Sequence, residues 1–202
     1  MPASTFGMVL PYNLTFSHDL LSRHLRPGDL VLDATAGNGR DTEFLARAVL
    51  PGGHVFAFDI QPIALQRTRT RLVDASPAGL DLIQACTLYL ASHADLAQHL
   101  PAAARGRLRA AMFNLGYLPG GDAAVITRAS GTVAALQALE SWMMPGGLIT
   151  VMCYLGHPGG AEEGAAVEAY CRGLDWRRAR VLRQGFLNEP KNSTVLYCVQ
   201  YK

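Results

Sequence analysis

Short apolar runs and segments of helical period alternate along almost the whole chain. Leu30–Ala34 reads as a buried strand, and Asp41–Val49 follows with Phe44, Leu45 and Ala48 at helical spacing. Pro51-Gly52-Gly53 breaks that helix, and His54–Ile60 reads as a second strand. Pro62–Val73 has the composition of a helix with proline in its first turn. Asp81–Cys86 predicts a third strand and Arg109–Asn114 a fourth. After the helical stretch Thr127–Met143 and the breaker Pro145-Gly146-Gly147, Leu148–Tyr154 predicts a fifth. Glu162–Arg172 is helical again. Trp176–Leu187 and Thr194–Tyr201 have strand character and are joined by the polar turn Asn188–Asn192.

Strands separated by helices imply an α/β fold with a mainly parallel sheet covered on both faces. Right-handed crossovers make it doubly wound. The last two of the seven strands have no helix between them and must pair as an antiparallel hairpin. No repeat, low-complexity tract or linker divides residues 1–202, which read as one domain. Residues 1–27 stand apart as an N-terminal extension, in which Thr15–Leu25 predicts a short helix that packs over the sheet's edge or lids a pocket.

Composition narrows the class. Half of the 202 residues are hydrophobic, which excludes a disordered chain. No apolar run approaches the roughly 20 residues of a bilayer span. The start, MPASTFGMVLPYNLTF, has no basic n-region and no clean apolar h-region, so no secretory signal is read there. Cys86, Cys153, Cys171 and Cys198 are scattered with no CxxC, which argues for free thiols in the cytoplasm rather than disulfides or a metal site. The net charge of +2 is uneven: residues 1–170 hold 11 Arg against 14 acidic residues, and residues 171–202 hold seven basic against two acidic. A basic segment on a faintly acidic body hints at a polyanionic partner, with Arg177, Arg178, Arg180 and Arg183 either flanking RNA or simply solvated. An apolar helix face on a domain this small permits a homodimer.

Candidate chemistry gathers after the strand ends, where open α/β sheets bind ligands. The first strand runs into Asp33-Ala34-Thr35-Ala36-Gly37-Asn38-Gly39-Arg40-Asp41-Thr42. Glycines here let the backbone approach a ligand. Asp59 ends the second strand, where a carboxylate commonly accepts hydrogen bonds from both ribose hydroxyls of an adenosine. Singly, each is also an ordinary turn or cap; in register with two strands they point to an adenosine-containing ligand. The full GxGxxG pattern is absent. Asp41 and Glu43 occupy a helix start that would have to favour a pyrophosphate. A cationic, phosphate-free ligand, S-adenosylmethionine, fits better than a dinucleotide. The fourth strand leads into Asn114-Leu115-Gly116-Tyr117. An Asn side chain can hold an amine and orient its lone pair, and Tyr117 can stack on a base or aid proton removal. Ser92-His93 can reach the adenine or sulfonium side of a pocket or cap a helix. His157, in the Gly-rich loop Gly156–Gly160, can contact substrate, act as a base, or sit in a plain turn.

The run Asp33-x-x-x-Gly37-x-Gly39 resembles motif I of class I methyltransferases, with Thr35 where a glycine often stands. Asn-x-x-Tyr at 114–117 resembles the Asn-Pro-Pro-Tyr motif of enzymes that methylate exocyclic nitrogens, without its prolines. DATAGNGRDT at 33–42, Ser92-His93, FNLGYLPGGD at 113–122, PGGLIT at 145–150, GHPGG at 156–160 with Glu162-Glu163, and Phe186-Leu187-Asn188 together resemble one family over nearly the whole chain beyond residue 15. It is the bacterial YtqB-like group of class I methyltransferases, labelled rRNA methylases, whose characterised members methylate the amino group of wobble 5-aminomethyl-(2-thio)uridine in tRNA. The resemblance implies a Rossmann-like class I fold, S-adenosylmethionine as cofactor and direct displacement onto a neutral amine. It implies Asp33, Thr35, Gly37, Asn38, Gly39 and Asp41 on the methionine side, Asp59 and Gln61 at the ribose, and Ser92 and His93 beside them. Asn114 and Tyr117 would place the amine, with Pro119, Asp122 and His157 also facing substrate at the tRNA anticodon loop. An rRNA methyltransferase, an NAD-dependent oxidoreductase and a non-catalytic RNA-binding module are the alternatives.

Overall fold

A computed structural model describes residues 10–78, 80–122, 124–189 and 194–202. The elements are α1 (Asn13–His24), β1 (Leu30–Asp33), α2 (Arg40–Val49), β2 (His54–Asp59), α3 (Pro62–Ala75), β3 (Cys86–Leu90), α4 (Leu96–His99), β4 (Leu108–Asn114), α5 (Ala129–Leu139), β5 (Met143–Tyr154), α6 (Gly160–Gly173), β6 (Ala179–Gln184) and β7 (Thr194–Tyr201). Seven strands form one sheet in the order β3-β2-β1-β4-β5-β7-β6. All neighbours pair in parallel except those of β7, which runs against both β5 and β6.

Strand alternation divides the core in two. In β1, Val31 points to the layer with Leu21, Leu45 and Leu72 from α1, α2 and α3. Leu32 points to the layer with Leu96, Leu136 and Val167 from α4, α5 and α6. Each central strand therefore carries apolar residues on both faces, as a parallel sheet buried between helices requires. The hairpin obeys the same rule in a less expected order. β7 (TVLYCVQY) has five consecutive buried residues and takes the inner place against β5. β6 (ARVLRQ) exposes four in a row and is left at the edge.

The expected third strand is displaced. Asp81–Cys86 forms turns, because Asp81 Oδ1 accepts from the backbone N–H groups of Ile83 and Gln84. The strand begins at Cys86 and uses Thr87 and Tyr89, residue types that suit a pleated surface. The expected helix Thr127–Met143 is shorter, Ala129–Leu139, and β5 starts upstream of its Pro-Gly-Gly breaker. The sheet absorbs Pro145-Gly146-Gly147 as an irregularity: Leu108 pairs with Met143 and Ala110 with Leu148. Of the turn Asn188–Asn192, residues 190–192 lie outside the described residues, as do residues 1–9 of the N-terminal extension.

The predicted helix at 15–25 is α1. It lies on β5 and β7, fastened where Asn13 Nδ2 donates to the carbonyl and hydroxyl of Thr194 (2.9 and 3.0 Å). No described helix is long and apolar enough to cross a membrane. All four cysteines are free, and burial pushes the thiols of Cys86, Cys171 and Cys198 up to about 12.

Candidate active site

The carboxyl ends of β1, β2, β4 and β5 surround a cavity of about 560 Å³, within the range of small-molecule and cofactor sites. Thr35, Gly37, Asn38, Asp41, Asp59, Gln61, Asn114, Tyr117, Pro119 and His157 all line it. Segments scattered over more than 120 residues converge there because parallel strands bring all their carboxyl ends to one edge.

The glycine loop turns from β1 to α2 through two left-handed residues, Gly37 (φ +53°) and Gly39 (φ +77°). Gly39 does not line the cavity. A Cβ on it would lie 2.7 Å from the Cα of Thr68, so its smallness lets α2 and α3 approach. Asp33 also lies off the cavity, fully buried beneath the loop. It accepts hydrogen bonds from the backbone N–H of Thr35 (3.0 Å) and the hydroxyl of Thr42 (2.6 Å). Burial, and then the negative charges of Asp41 and Asp59, push its carboxyl up to about 7 against those two hydrogen bonds.

Asp59 closes the loop from β2. Its Oδ2 accepts from the backbone N–H of Gly37 (2.9 Å) and its Oδ1 from that of Gln61 (2.9 Å), so the carboxylate is held rigid at the wall. Asp41, in the first turn of α2, accepts from Asn114 Nδ2 at 3.1 Å on one oxygen. The other oxygen meets His18 Nε2 at 2.7 Å. The His18 ring lies flat on Phe44, with centroids 4.1 Å apart and planes 7° apart. Thr35 Oγ1 accepts from the backbone N–H of Asn114 (2.8 Å), fixing the end of β4 to the loop. Tyr154, at the end of β5, also lines the cavity. Burial and the negative Asp41 raise its hydroxyl, and a hydrogen bond with Asn114 opposes them.

The loop after β4 is held at both ends. Gly116 and Thr127 bond reciprocally: the Gly116 N–H donates to Thr127 Oγ1 and the Thr127 N–H to the Gly116 carbonyl, both at 2.8 Å. The Thr127 hydroxyl donates in turn to Glu163 Oε2 (2.6 Å), and Thr132 donates to Oε1 (2.6 Å). Glu163 is buried at the start of α6. At the far end Arg67 donates to the carbonyls of Pro119 (3.2 Å) and Gly120 (2.8 Å). Tyr117, half exposed at the mouth, meets His157 edge-on at 5.9 Å. His157 Nδ1 donates to the Pro158 carbonyl (2.9 Å), while Nε2 is buried with no partner among the described residues.

Three other expected residues do not line the cavity. Ser92 Oγ accepts from the Ala94 N–H and caps a single 3₁₀ turn. His93 is buried, donates from Nδ1 to the Ala34 carbonyl (3.1 Å), and has its pKa lowered by burial. It braces the end of β1 from below. Asp122 points its carboxylate at the Ala124 N–H, and only its backbone N–H reaches Gln61 Oε1 (3.4 Å).

Sequence reasoning singled out neither His18, Tyr154, Arg67 and Thr127 nor any role for Glu163. No sequence signal marked His18, whose place beside Asp41 is set by packing alone. Tyr154 had one, its place at a strand's carboxyl end. The partners of Thr127 and Glu163 are fixed only by how α5 and α6 pack.

The chain is similar to several known proteins. It is 40% identical over 168 residues to the tRNA (mnm(5)s(2)U34)-methyltransferase, chloroplastic, of Arabidopsis thaliana. That match covers 79% of this chain, and the chain spans only 60% of the length of that relative. A structure described as a putative rRNA-methylase from Clostridium thermocellum superposes with a TM-score of 0.89 at 36% identity, covering 96% of this chain and all of that one. A putative methyltransferase from Streptococcus mutans in complex with SAH gives 0.84 at 31% identity over the same shares. The model of one family matches residues 55–200, from β2 through the hairpin, and the chain belongs to that family, described as "Putative rRNA methylase".

Proposed function

We propose that the chain is an S-adenosylmethionine-dependent RNA methyltransferase that methylates the aminomethyl nitrogen of wobble 5-aminomethyl-(2-thio)uridine in tRNA. The observation that carries this reading is the concentration of carboxylates around the glycine loop. Burial lifts the Asp33 carboxyl to about 7, and the negative charges of Asp41 and Asp59 add to that lift. Such a site favours a cation and rejects a phosphate, and Asp41 and Glu43 make the first turn of α2 acidic as well. S-adenosylmethionine has two positive groups and no phosphate; a nicotinamide dinucleotide has the opposite character. The Streptococcus mutans relative in complex with SAH supports the same choice.

When bound, S-adenosylmethionine supplies an electrophilic methyl group on a positively charged sulfur. Asp59 would accept the ribose hydroxyls with the lone pairs its two backbone partners leave free, with Gln61 beside it. Thr35, Gly37, Asn38 and Asp41 would line the methionine side. Asp33, Gly39, Ser92 and His93 would act on the wall from behind, through Thr35, Thr42, α3 and Ala34. Asn114 has a defined polarity: its Nδ2 donates to Asp41, which leaves Oδ1 as an acceptor at the cavity. An acceptor there takes an N–H from a neutral amine and leaves the nitrogen lone pair free to attack. Tyr117 at the mouth offers a face for the uracil ring, with Pro119 and His157 around it. The wobble base lies in a single-stranded loop and enters such a cavity at little unstacking cost.

The Arabidopsis thaliana relative supports tRNA as substrate; the family description supports rRNA as the second reading. Free thiols at all four cysteines support action in the cytoplasm. Mass spectrometry of nucleosides from tRNA and rRNA, each incubated with protein and S-adenosylmethionine, tests the proposal. Methylaminomethyl uridine from tRNA is expected. Unchanged aminomethyl uridine with methylated rRNA would overturn the substrate assignment. Calorimetry showing binding of NADH and none of S-adenosylmethionine would overturn the cofactor.

A further inference from the structure

The described basic residues of positions 171–202 do not form one uniform surface. Arg172 and Arg183 pair with Glu168, and Arg178 with Glu140. Arg177, Arg180 and Lys202 have no carboxylate partner among the described residues. These three gather around one ring. Their charged atoms lie 5.4, 5.9 and 5.0 Å from the centroid of Trp176, which is 61% exposed. The nearest acidic neighbour in sequence, Asp175, directs an oxygen to the Arg177 backbone N–H at 2.9 Å. The ring's negative face attracts the cations and concentrates three positive charges on one solvent-facing spot.

The place of this spot in the fold suggests its use. Tyr154 lines the cavity and pairs with Thr194; β7 then runs back along the sheet until Tyr201 pairs with Ala179, three residues after Trp176. Seven residues of strand put the cluster roughly 25 Å from the cavity rim, at the opposite edge of the sheet. That is about seven phosphate steps along one strand of a duplex. A second copy of the chain would not suit the spot, because a two-fold interface there would set cations against cations.

We infer that Trp176, Arg177, Arg180 and Lys202 form a second contact for the RNA, holding the phosphate backbone of a helical stem while its loop reaches the cavity. This rests on the proposed RNA substrate, and binding and methylation are therefore measured separately. Kd is determined against salt for full-length tRNA, and kcat/KM for full-length tRNA and for a short single-stranded oligonucleotide carrying the target uridine. Arg177→Ala with Arg180→Ala should weaken tRNA binding about tenfold at moderate salt. It should also flatten the slope of log Kd against log salt by roughly one for each cation removed. S-adenosylmethionine affinity and kcat/KM on the short oligonucleotide should not change. Trp142 is buried, so red-edge tryptophan emission reports Trp176, and tRNA should shift it. An unchanged slope with unchanged red-edge emission would overturn the inference. So would a wild-type slope in the variant accompanied by lost binding to phosphatidylserine vesicles, which would assign the cluster to a membrane surface. A wild-type protein that shows the cluster-dependent slope and methylates neither RNA would instead refute the proposed activity and leave the contact standing.

Discussion

Asp33→Asn should make this protein more stable above neutral pH while weakening its site. Asp33 is fully buried and its carboxyl titrates near 7 rather than 3.8. A carboxyl raised in the folded state adds stability that is fully present below the unfolded pKa and is lost as pH rises through the folded one. At 1.36 kcal/mol per unit, a shift of about three units corresponds to about 4 kcal/mol lost between roughly pH 4 and pH 7. Asparagine has the shape of the neutral acid. Its Oδ1 still accepts from the Thr35 N–H, and its amide can donate to the Thr42 hydroxyl, so the two hydrogen bonds survive. Urea unfolding of both proteins at pH 5 and pH 8 isolates the effect, because other titrations cancel in the difference. Wild type should lose about 2–3 kcal/mol more than Asp33→Asn over that interval. Asp41→Asn, which removes the largest charge acting on Asp33, should narrow the pH window in which wild type loses stability. Binding of S-adenosylmethionine should weaken in Asp33→Asn even as the fold gains, the usual opposition between stability and a strained site. An equal loss in both proteins from pH 5 to pH 8 would mean that Asp33 is already ionised at pH 5, and the carboxylate argument would fail.

Other substitutions probe the remaining supports. Asp59→Ala removes the acceptor at the ribose position and unties Gly37 and Gln61; calorimetry should show S-adenosylmethionine binding weakened about a hundredfold, two charge-assisted hydrogen bonds being worth roughly 3 kcal/mol together. Wild-type affinity would remove the ribose assignment. Gly39→Ala forces a left-handed alanine whose Cβ overlaps the Thr68 backbone and should cost about 2–5 kcal/mol in denaturant unfolding; a loss below about 1 kcal/mol would contradict the tight α2–α3 contact. Thr127→Val strands the Gly116 N–H and one oxygen of Glu163, and should lower kcat/KM for RNA about tenfold with unchanged cofactor affinity, whereas Thr127→Ser restores it. Equal behaviour of the Val and Ser variants would show that the hydroxyl does not hold the loop.

The sheet and its ligand edge were legible because they rest on local signals: apolar runs for strands, Pro-Gly breaks, and glycines and carboxylates just past strand ends. The mistakes have local causes too. Asp81–Cys86 is apolar enough for a strand, yet the Asp81 side chain captures two backbone donors and makes a turn. Within the site, pattern alone could not separate the wall from its supports. Asp33, Gly39, Ser92 and His93 stand in the motifs but behind the surface: Asp33 ends its strand buried under the loop, Gly39 packs on Thr68 of α3, and Ser92 and His93 belong to a 3₁₀ turn beneath Ala34. His18 was invisible for the opposite reason. It comes from a helix before the first strand, and only tertiary packing sets it against Asp41.

The inner position of β7 also orders events in time. On a ribosome, β1 through β5 can pair as they emerge, since each lies beside a strand already made. β6 cannot join, because the strand between it and β5 has not been synthesised. α1 cannot settle either: Asn13 finds its hydrogen-bond partner 181 residues later, at Thr194. Until β7 is available, the face of the cavity bearing Leu14 is unfastened, and long-range contacts of this kind form slowly. An unfinished chain therefore lacks the assembled site, and binding competence arrives only with the final strand.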